Sequence, residues 1–156
     1  MTSTDTGFSD AEIQTSQAEP INQIENRLFL GNIKSRTSEI LKLHNIQHVV
    51  RITTEMEEAR YYYLLPVDIN EMMYYLIDEP PRLIIPIIKK AYYVIKRHIE
   101  KGRNVLVHCE AGISRSASII IAYLMIENQM PAEAALKYVE TKHKCVWPNP
   151  GFFGDS

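Results

Sequence analysis

Large apolar residues are scarce in residues 1–20, MTSTDTGFSDAEIQTSQAEP, and enter in short runs from Ile24 onward. A segment rich in Ser, Thr, Asp and Gln cannot offset its ordering entropy by burial, so residues 1–20 are expected to form a disordered arm. After it, Arg27-Leu28-Phe29-Leu30 reads as a strand stopped by Gly31-Asn32. Thr37 or Ser38 suits a helix cap, with Ile40, Leu41 and Leu43 on one face and Glu39 at the positive end. Residues 47–53 (QHVVRIT) and 61–67 (YYYLLPV) are strand-like, and the acidic stretch at 54–58 between them reads as a solvated loop or helical turn. Residues 73–77 (MYYLI) make another strand, closed by Asp78-Glu79-Pro80-Pro81.

From residue 84 the period changes. Ile84, Ile87, Ile88, Ala91, Tyr92, Ile95 and Ile99 recur at three and four residues, one face of a helix that starts near Pro86 and stops at Gly102. Asn104 to His108 is a short apolar run of buried-strand type, and residues 116–128 (SASIIIAYLMIEN) are apolar nearly all round, the mark of a buried helix. Pro131 opens a further helix through about Lys142. Strands alternating with helices predict an α/β domain: a central, mostly parallel sheet flanked by helices.

A chain of 156 residues fits one such domain, large enough to bury about two-thirds of its unfolded surface. The formal net charge of −2 offers no basic patch for nucleic acid or an anionic membrane, so neither partner is expected. No stretch approaches transmembrane length, and the opening residues read as neither signal peptide nor myristoylation site. Two cysteines, Cys109 and Cys145, make no disulfide framework and fit a reducing cytoplasmic or nuclear setting. Cys145 is read as an ordinary packed cysteine rather than a redox partner of Cys109.

The chemistry concentrates in VHCEAGISRSA, residues 107–117, between the buried strand and the buried helix. In open α/β sheets ligands bind beyond the carboxyl ends of the strands. A strand-to-helix loop there aims backbone N–H groups and a helix N-terminus into one small volume, which favours an anion. Gly112 permits the bend, and Arg115 offers a planar fork of donors suited to two phosphate oxygens. Cys109 at the mouth of that nest is expected to be held as a thiolate, aided by Ser114 or Ser116, which points to phosphoryl transfer to cysteine. His44 and His48 stand four apart, but the pattern turns strand-like at Gln47. They are read as unrelated, and no metal or cofactor is predicted.

His108-Cys109-Glu110-Ala111-Gly112-Ile113-Ser114-Arg115-Ser116 resembles the HC-x5-R-S/T signature of cysteine-based protein tyrosine phosphatases. The AGISRSA form followed by IAYLM resembles their dual-specificity branch, and the likeness runs over about residues 24–153. The resemblance implies a phosphorylated protein as substrate and a phosphocysteine intermediate on Cys109. It also implies phosphate binding by Arg115 with the N–H groups of Glu110, Ala111, Gly112, Ile113, Ser114 and Arg115, and assistance by Ser116 to the departing thiolate. His108 and Asn149 are similar to residues that support the loop. The catalytic domain is expected over residues 21–156, without the last helix that the family usually carries beyond the PNPGF-like segment. Two aspartates end strand-like runs and suit the general acid, Asp68 and Asp78. Local pattern leaves both open, whereas the family places its acid on the loop before the helix leading to the nucleophile's strand, where Asp78 stands.

Phosphotyrosine is the expected substrate, with phosphoserine and phosphothreonine admitted by a shallow pocket. The alternatives are a phosphoinositide or an RNA 5′ end, against which Glu110, Ala111, Ile113 and Ser114 argue because they add no positive charge to the loop, and a weakly active phosphoprotein-binding module.

Overall fold

A computed structural model of the protein describes residues 19–60, 65–75, 85–110 and 114–143. In chain order these form β1 (Ile21–Glu25), β2 (Leu28–Gly31), a 3-10 turn (Ile33–Ser35), α1 (Ser38–Leu43), β3 (Ile46–Thr53) and α2 (Glu55–Arg60). Then come β4 (Asn70–Tyr75), α3 (Ile85–Glu100), β5 (Asn104–His108), α4 (Ser114–Glu127) and α5 (Ala132–Lys142). The strands make one sheet in the order β1-β2-β5-β3-β4, parallel except that β1 runs against β2. This is the expected α/β architecture, with β5 in the middle. Its carboxyl end carries Cys109.

The period-2 alternation of strands decides which side of the sheet each residue serves. Leu28 and Leu30 of β2, Val50 and Ile52 of β3, and Val105 and Val107 of β5 face α3, α4 and α5, where they pack with Ala91, Ile95, Ile120, Leu124, Ala135 and Val139. Phe29, Val49 and Leu106 point the other way and pack with Leu41 of α1. The apolar girdle of α4 now has its reason: residues 116–124 are all buried. Thr37 caps α1 as expected, its Oγ1 accepting from the Ile40 N–H at 3.2 Å. At Gly31 the chain passes so close to its surroundings that a Cβ would stand 2.8 Å from the Pro20 carbonyl oxygen and from Ser35 Oγ. A methyl group therefore does not fit at the bend out of β2.

Three expectations need correction. Ordered structure starts before Ile24, because Ile21–Glu25 pairs with β2 as an outer strand; its polar Asn22, Gln23 and Glu25 hid that role. The strand read at 61–67 does not continue through its described part, where residues 65 and 66 are irregular and Val67 and Asp68 form a turn. The third is solvation: the acidic stretch after residue 54 takes the helical alternative, a helix of six residues, but its Glu57 is drawn inward. Thr54 caps it, its Oγ1 accepting from the Glu57 N–H at 3.1 Å while its hydroxyl donates to Glu57 Oε1 at 3.2 Å.

Three histidines, His48, His108 and His143, are buried among the described residues. His48 of β3 is 4% exposed and stacks on His98 of α3, ring centroids 3.8 Å apart, while His44 turns its ring edge to Phe29. Burial, with the charges of His98 and Arg103, lowers His48 to about 4; burial beside Arg36 lowers His108 to about 3. Both rings are neutral when folded and take up a proton near 6.5 when unfolded, so their contribution is complete above that pH. It is withdrawn as the pH falls from 6.5 through 4 and on towards 3. Each unit of the gap is worth about 1.4 kcal/mol, so urea midpoints are expected to fall steeply between neutral pH and the acid range. His48→Leu should flatten that decline, and an unchanged slope would remove His48 from it.

Candidate active site

The alternation that builds the core also divides the catalytic end. Cys109 falls on the face of the sheet covered by α4, whereas His108 and Glu110 turn to the face covered by α1. Cys109 is 1% exposed, and its Sγ lies 3.3 Å from Ser116 Oγ in the first turn of α4. The nucleophile candidate therefore meets a hydroxyl at the positive end of a buried helix. Burial pushes the Cys109 thiol up from its ordinary value, and the Glu110 charge adds to that rise. Hydrogen bonds from the Ser116 side chain and backbone, and the Arg115 charge, pull it down. Burial thus works against the expected thiolate, because a sulfur this deeply buried loses its hydration. Ionisation has to be drawn by the helix end and by the loop.

Arg115, at the second position of α4, is half-buried, and its Nη1 donates to Glu57 Oε1 of α2. Glu57 is thereby drawn out of solvent, against the expectation for the acidic stretch. The Thr54 hydroxyl that caps α2 also holds the Glu57 oxygen that meets the arginine.

Beneath the loop lies a layer of buried charge. Arg36, which follows the 3-10 turn, is 4% exposed. Its Nη1 pairs with Glu71 of β4 and donates to His108 Nε2 at 3.2 Å. A guanidinium only donates, so Nε2 is the acceptor and the neutral ring carries its proton on Nδ1. That proton faces the Cys109 carbonyl at 3.4 Å. His108 thus holds the backbone of the nucleophile and has no proton to exchange with substrate. Beside it, Arg51 of β3 donates from Nε to Oε1 of Glu110, whose side chain is fully buried.

Of the residues singled out in the sequence, the structure brings His108, Cys109, Glu110, Arg115 and Ser116 together around the strand-loop-helix junction, with Ser114 opening α4. Ala111, Gly112, Ile113, Asp78, Asn149 and Cys145 lie outside the described residues. Asp68 is elsewhere. It lies two residues before β4, lining a cavity with Lys42, Asn45, Asn70 and Arg103, at the end of the sheet where the parallel strands begin. Arg51, in register with His108, also pairs with Met73 on β4. Asp68 therefore sits roughly 15 Å of strand below the level of the loop, which sets it apart from Cys109. The Glu110 carboxylate is turned to Arg51, which bears on its side chain and not on the N–H group assigned to phosphate. Arg36, Arg51, Glu57 and Glu71 were missed. The signal for Arg51 was present: a charge between Val50 and Ile52 in an apolar strand requires a buried partner. Among the described residues, no group of three or more His, Cys, Asp or Glu side chains is placed to hold a metal ion. No helix there is long and apolar enough to cross a membrane.

A family model described as dual specificity phosphatase, catalytic domain, matches residues 28–155. Dual specificity protein phosphatase 22-B of Danio rerio is 33% identical over 136 residues, covering 85% of this chain and 69% of the relative. Dual specificity protein phosphatase 1B of Arabidopsis thaliana is 29% identical, covering 85% and 77%. Among solved structures, the human tyrosine phosphatase-like serine/threonine/tyrosine-interacting protein superposes with a TM-score of 0.77 at 31% identity, covering 85% of this chain and 89% of that one. The buried strand that ends in His108-Cys109, the helix that opens on Arg115-Ser116 and these likenesses lead to one assignment: the chain belongs to the dual specificity phosphatase family and is a protein phosphatase.

Proposed function

We propose that this chain hydrolyses phosphotyrosine, and with it phosphoserine and phosphothreonine, through a phosphocysteine on Cys109, with residues 21–156 as the catalytic domain and residues 1–20 as an arm outside it. The observation that carries this reading is Cys109 Sγ set 3.3 Å from Ser116 Oγ at the N-terminal turn of a buried helix, with Arg115 on the same turn. In the first step the Cys109 thiolate attacks phosphorus, the ester P–O bond breaks, and Asp78 gives its proton to the departing oxygen. Arg115 and the N–H groups of residues 110–115 gather the equatorial oxygens as charge spreads over them. Glu57 leaves part of the Arg115 fork to the phosphate and fixes its plane. In the second step water attacks the phosphocysteine, the S–P bond breaks, inorganic phosphate leaves, and the Ser116 hydroxyl donates to the returning thiolate. His108, held by Arg36, keeps the Cys109 carbonyl in place, and Asn149 has the part of steadying the loop.

A phosphoinositide or RNA end is disfavoured by the described charges, since Arg36, Arg51 and Arg115 are each already paired with a carboxylate. The likeness to a phosphatase-like interacting protein raises a binding role, yet this chain keeps the cysteine beside its hydroxyl partner. Turnover of phosphotyrosyl and phosphothreonyl peptides is expected, unaffected by chelator, lost on mild peroxide treatment and regained with thiol. Inositol lipids should be hydrolysed far more slowly than peptides. Preference for the lipid, or activity that disappears with chelator and returns with a divalent ion, would overturn the reading.

A further inference from the structure

Glu110 poses an electrostatic problem. It is the residue after the nucleophile, and its side chain is wholly out of solvent, yet the reaction gathers negative charge beside it. Neighbouring Cα atoms are about 3.8 Å apart, so even with the two side chains on opposite faces an unpaired carboxylate there acts on the Cys109 sulfur from about 10 Å. At that range it opposes thiolate formation by on the order of one pKa unit, a tenfold loss of thiolate, and opposes the phosphoryl dianion as well. The group that answers it is Arg51, 4% exposed on β3, whose Nε donates to Glu110 Oε1. The strand register sets Arg51 directly beside His108, so β3 delivers the cation to the loop's first residue.

The other charges around Cys109 are arranged in the same way. Arg115 of α4 is paired with Glu57 of α2, and Arg36 is paired with Glu71 of β4. His108 is neutral, and Ser116 contributes a hydroxyl dipole. Each guanidinium named here has its carboxylate, so the Arg115 charge reaches the sulfur tempered by Glu57 and acts beside the Ser116 hydroxyl and the helix end.

We propose that Arg51 is a positioning residue that acts through Glu110: it fastens the first residue of the phosphate loop to the central sheet and cancels the charge that Glu110 would otherwise exert on the nucleophile and on bound phosphate. This rests on Cys109 being the nucleophile. The pair does not touch substrate; it sets the field in which the thiol ionises.

Glu110→Gln separates charge from shape, because the amide oxygen still accepts from Arg51 Nε and only the negative charge is gone. In a Cys145→Ser background, the pH dependence of iodoacetamide alkylation then reads the Cys109 thiol alone. The variant is expected to ionise about one unit lower, alkylating about tenfold faster on the acid side, with the acidic limb of kcat/KM moving the same way. Arg51→Gln with Glu110→Gln, neutral at both positions, should return to the parent profile. Arg51→Lys keeps the charge and should hold the thiol near the parent value. If Glu110→Gln leaves the thiol unmoved or raises it, or if the double variant keeps the single variant's shift, the pair is only a structural clasp. Failure of the nucleophile assignment looks different: turnover would survive Cys109→Ser while the alkylation shifts remained.

Discussion

Cys109→Ser is expected to abolish turnover while phosphopeptide binding stays within a few-fold of the parent. The oxygen replaces a sulfur at a site that is 1% exposed, and it can keep the contact with Ser116, so the fold has no reason to open. What changes is the chemistry. A thiol ionises near neutral pH when helix and loop dipoles favour it, whereas a serine hydroxyl in the same place stays protonated. The neighbouring histidine is not a base for that proton: His108 is locked between Arg36 and the Cys109 carbonyl. The second step suffers too, because an alkoxide leaves phosphorus far less readily than a thiolate. Loss of a nucleophile of this kind costs about three to six orders of magnitude in kcat. Steady-state hydrolysis of a small aryl phosphate measures the loss, and calorimetry with a phosphotyrosyl peptide measures the binding. A serine variant that keeps more than a few per cent of the parent rate would move the nucleophile elsewhere.

The parts of this fold written in hydrophobic periodicity were legible from the residues. The three-and-four spacing from Ile84 gives α3, the run at Asn104 to His108 gives β5, and the all-round apolar stretch after Arg115 gives α4. Those elements place the junction that carries Cys109, which is why the site's centre could be read before its surroundings. The surroundings depend on pairs of residues far apart in the chain. Arg51 and Glu110 are separated by 59 positions, and Arg36 and His108 by 72. Each looks like an ordinary surface charge until strand register puts it beside its partner. The same limit hid the Glu110 side chain's partner, since the motif speaks for its N–H group and not for where its carboxylate turns. β1 escaped for another reason: an outer strand with one apolar face and polar Asn22, Gln23 and Glu25 has too weak an alternation to register over five residues. Residues 65–67 read as the end of a strand because Leu65 and Val67 are apolar, but Pro66 lacks a ladder donor and the chain turns there.

Asp78→Asn should slow the hydrolysis of phosphopeptides by about two to four orders of magnitude, the usual worth of a positioned proton donor. The leaving group decides how much of that loss appears. A peptide tyrosine or threonine departs as a basic oxyanion and needs the proton, whereas an aryl phosphate with an acidic phenol departs without it. The variant's deficit should therefore shrink steadily as the phenol becomes more acidic, and the basic limb of its pH–rate profile should flatten. Asp68→Asn serves as the contrast. Asp68 is exposed in the turn before β4, at the end of the sheet where the parallel strands begin, and Cys109 follows the other end of β5. A carboxylate must come within hydrogen-bond reach of the departing oxygen, directly or through one water, to protonate it. Five residues of extended chain separate Asp68 from Met73, which stands level with His108, so that reach is not available. Its substitution is expected to leave the leaving-group dependence intact and to alter at most the stability of the turn. The slope of log rate against phenol pKa, measured for parent and both variants, decides the matter. A steepened slope in Asp68→Asn with an unchanged one in Asp78→Asn would overturn the assignment and require the turn before β4 to leave its place during catalysis.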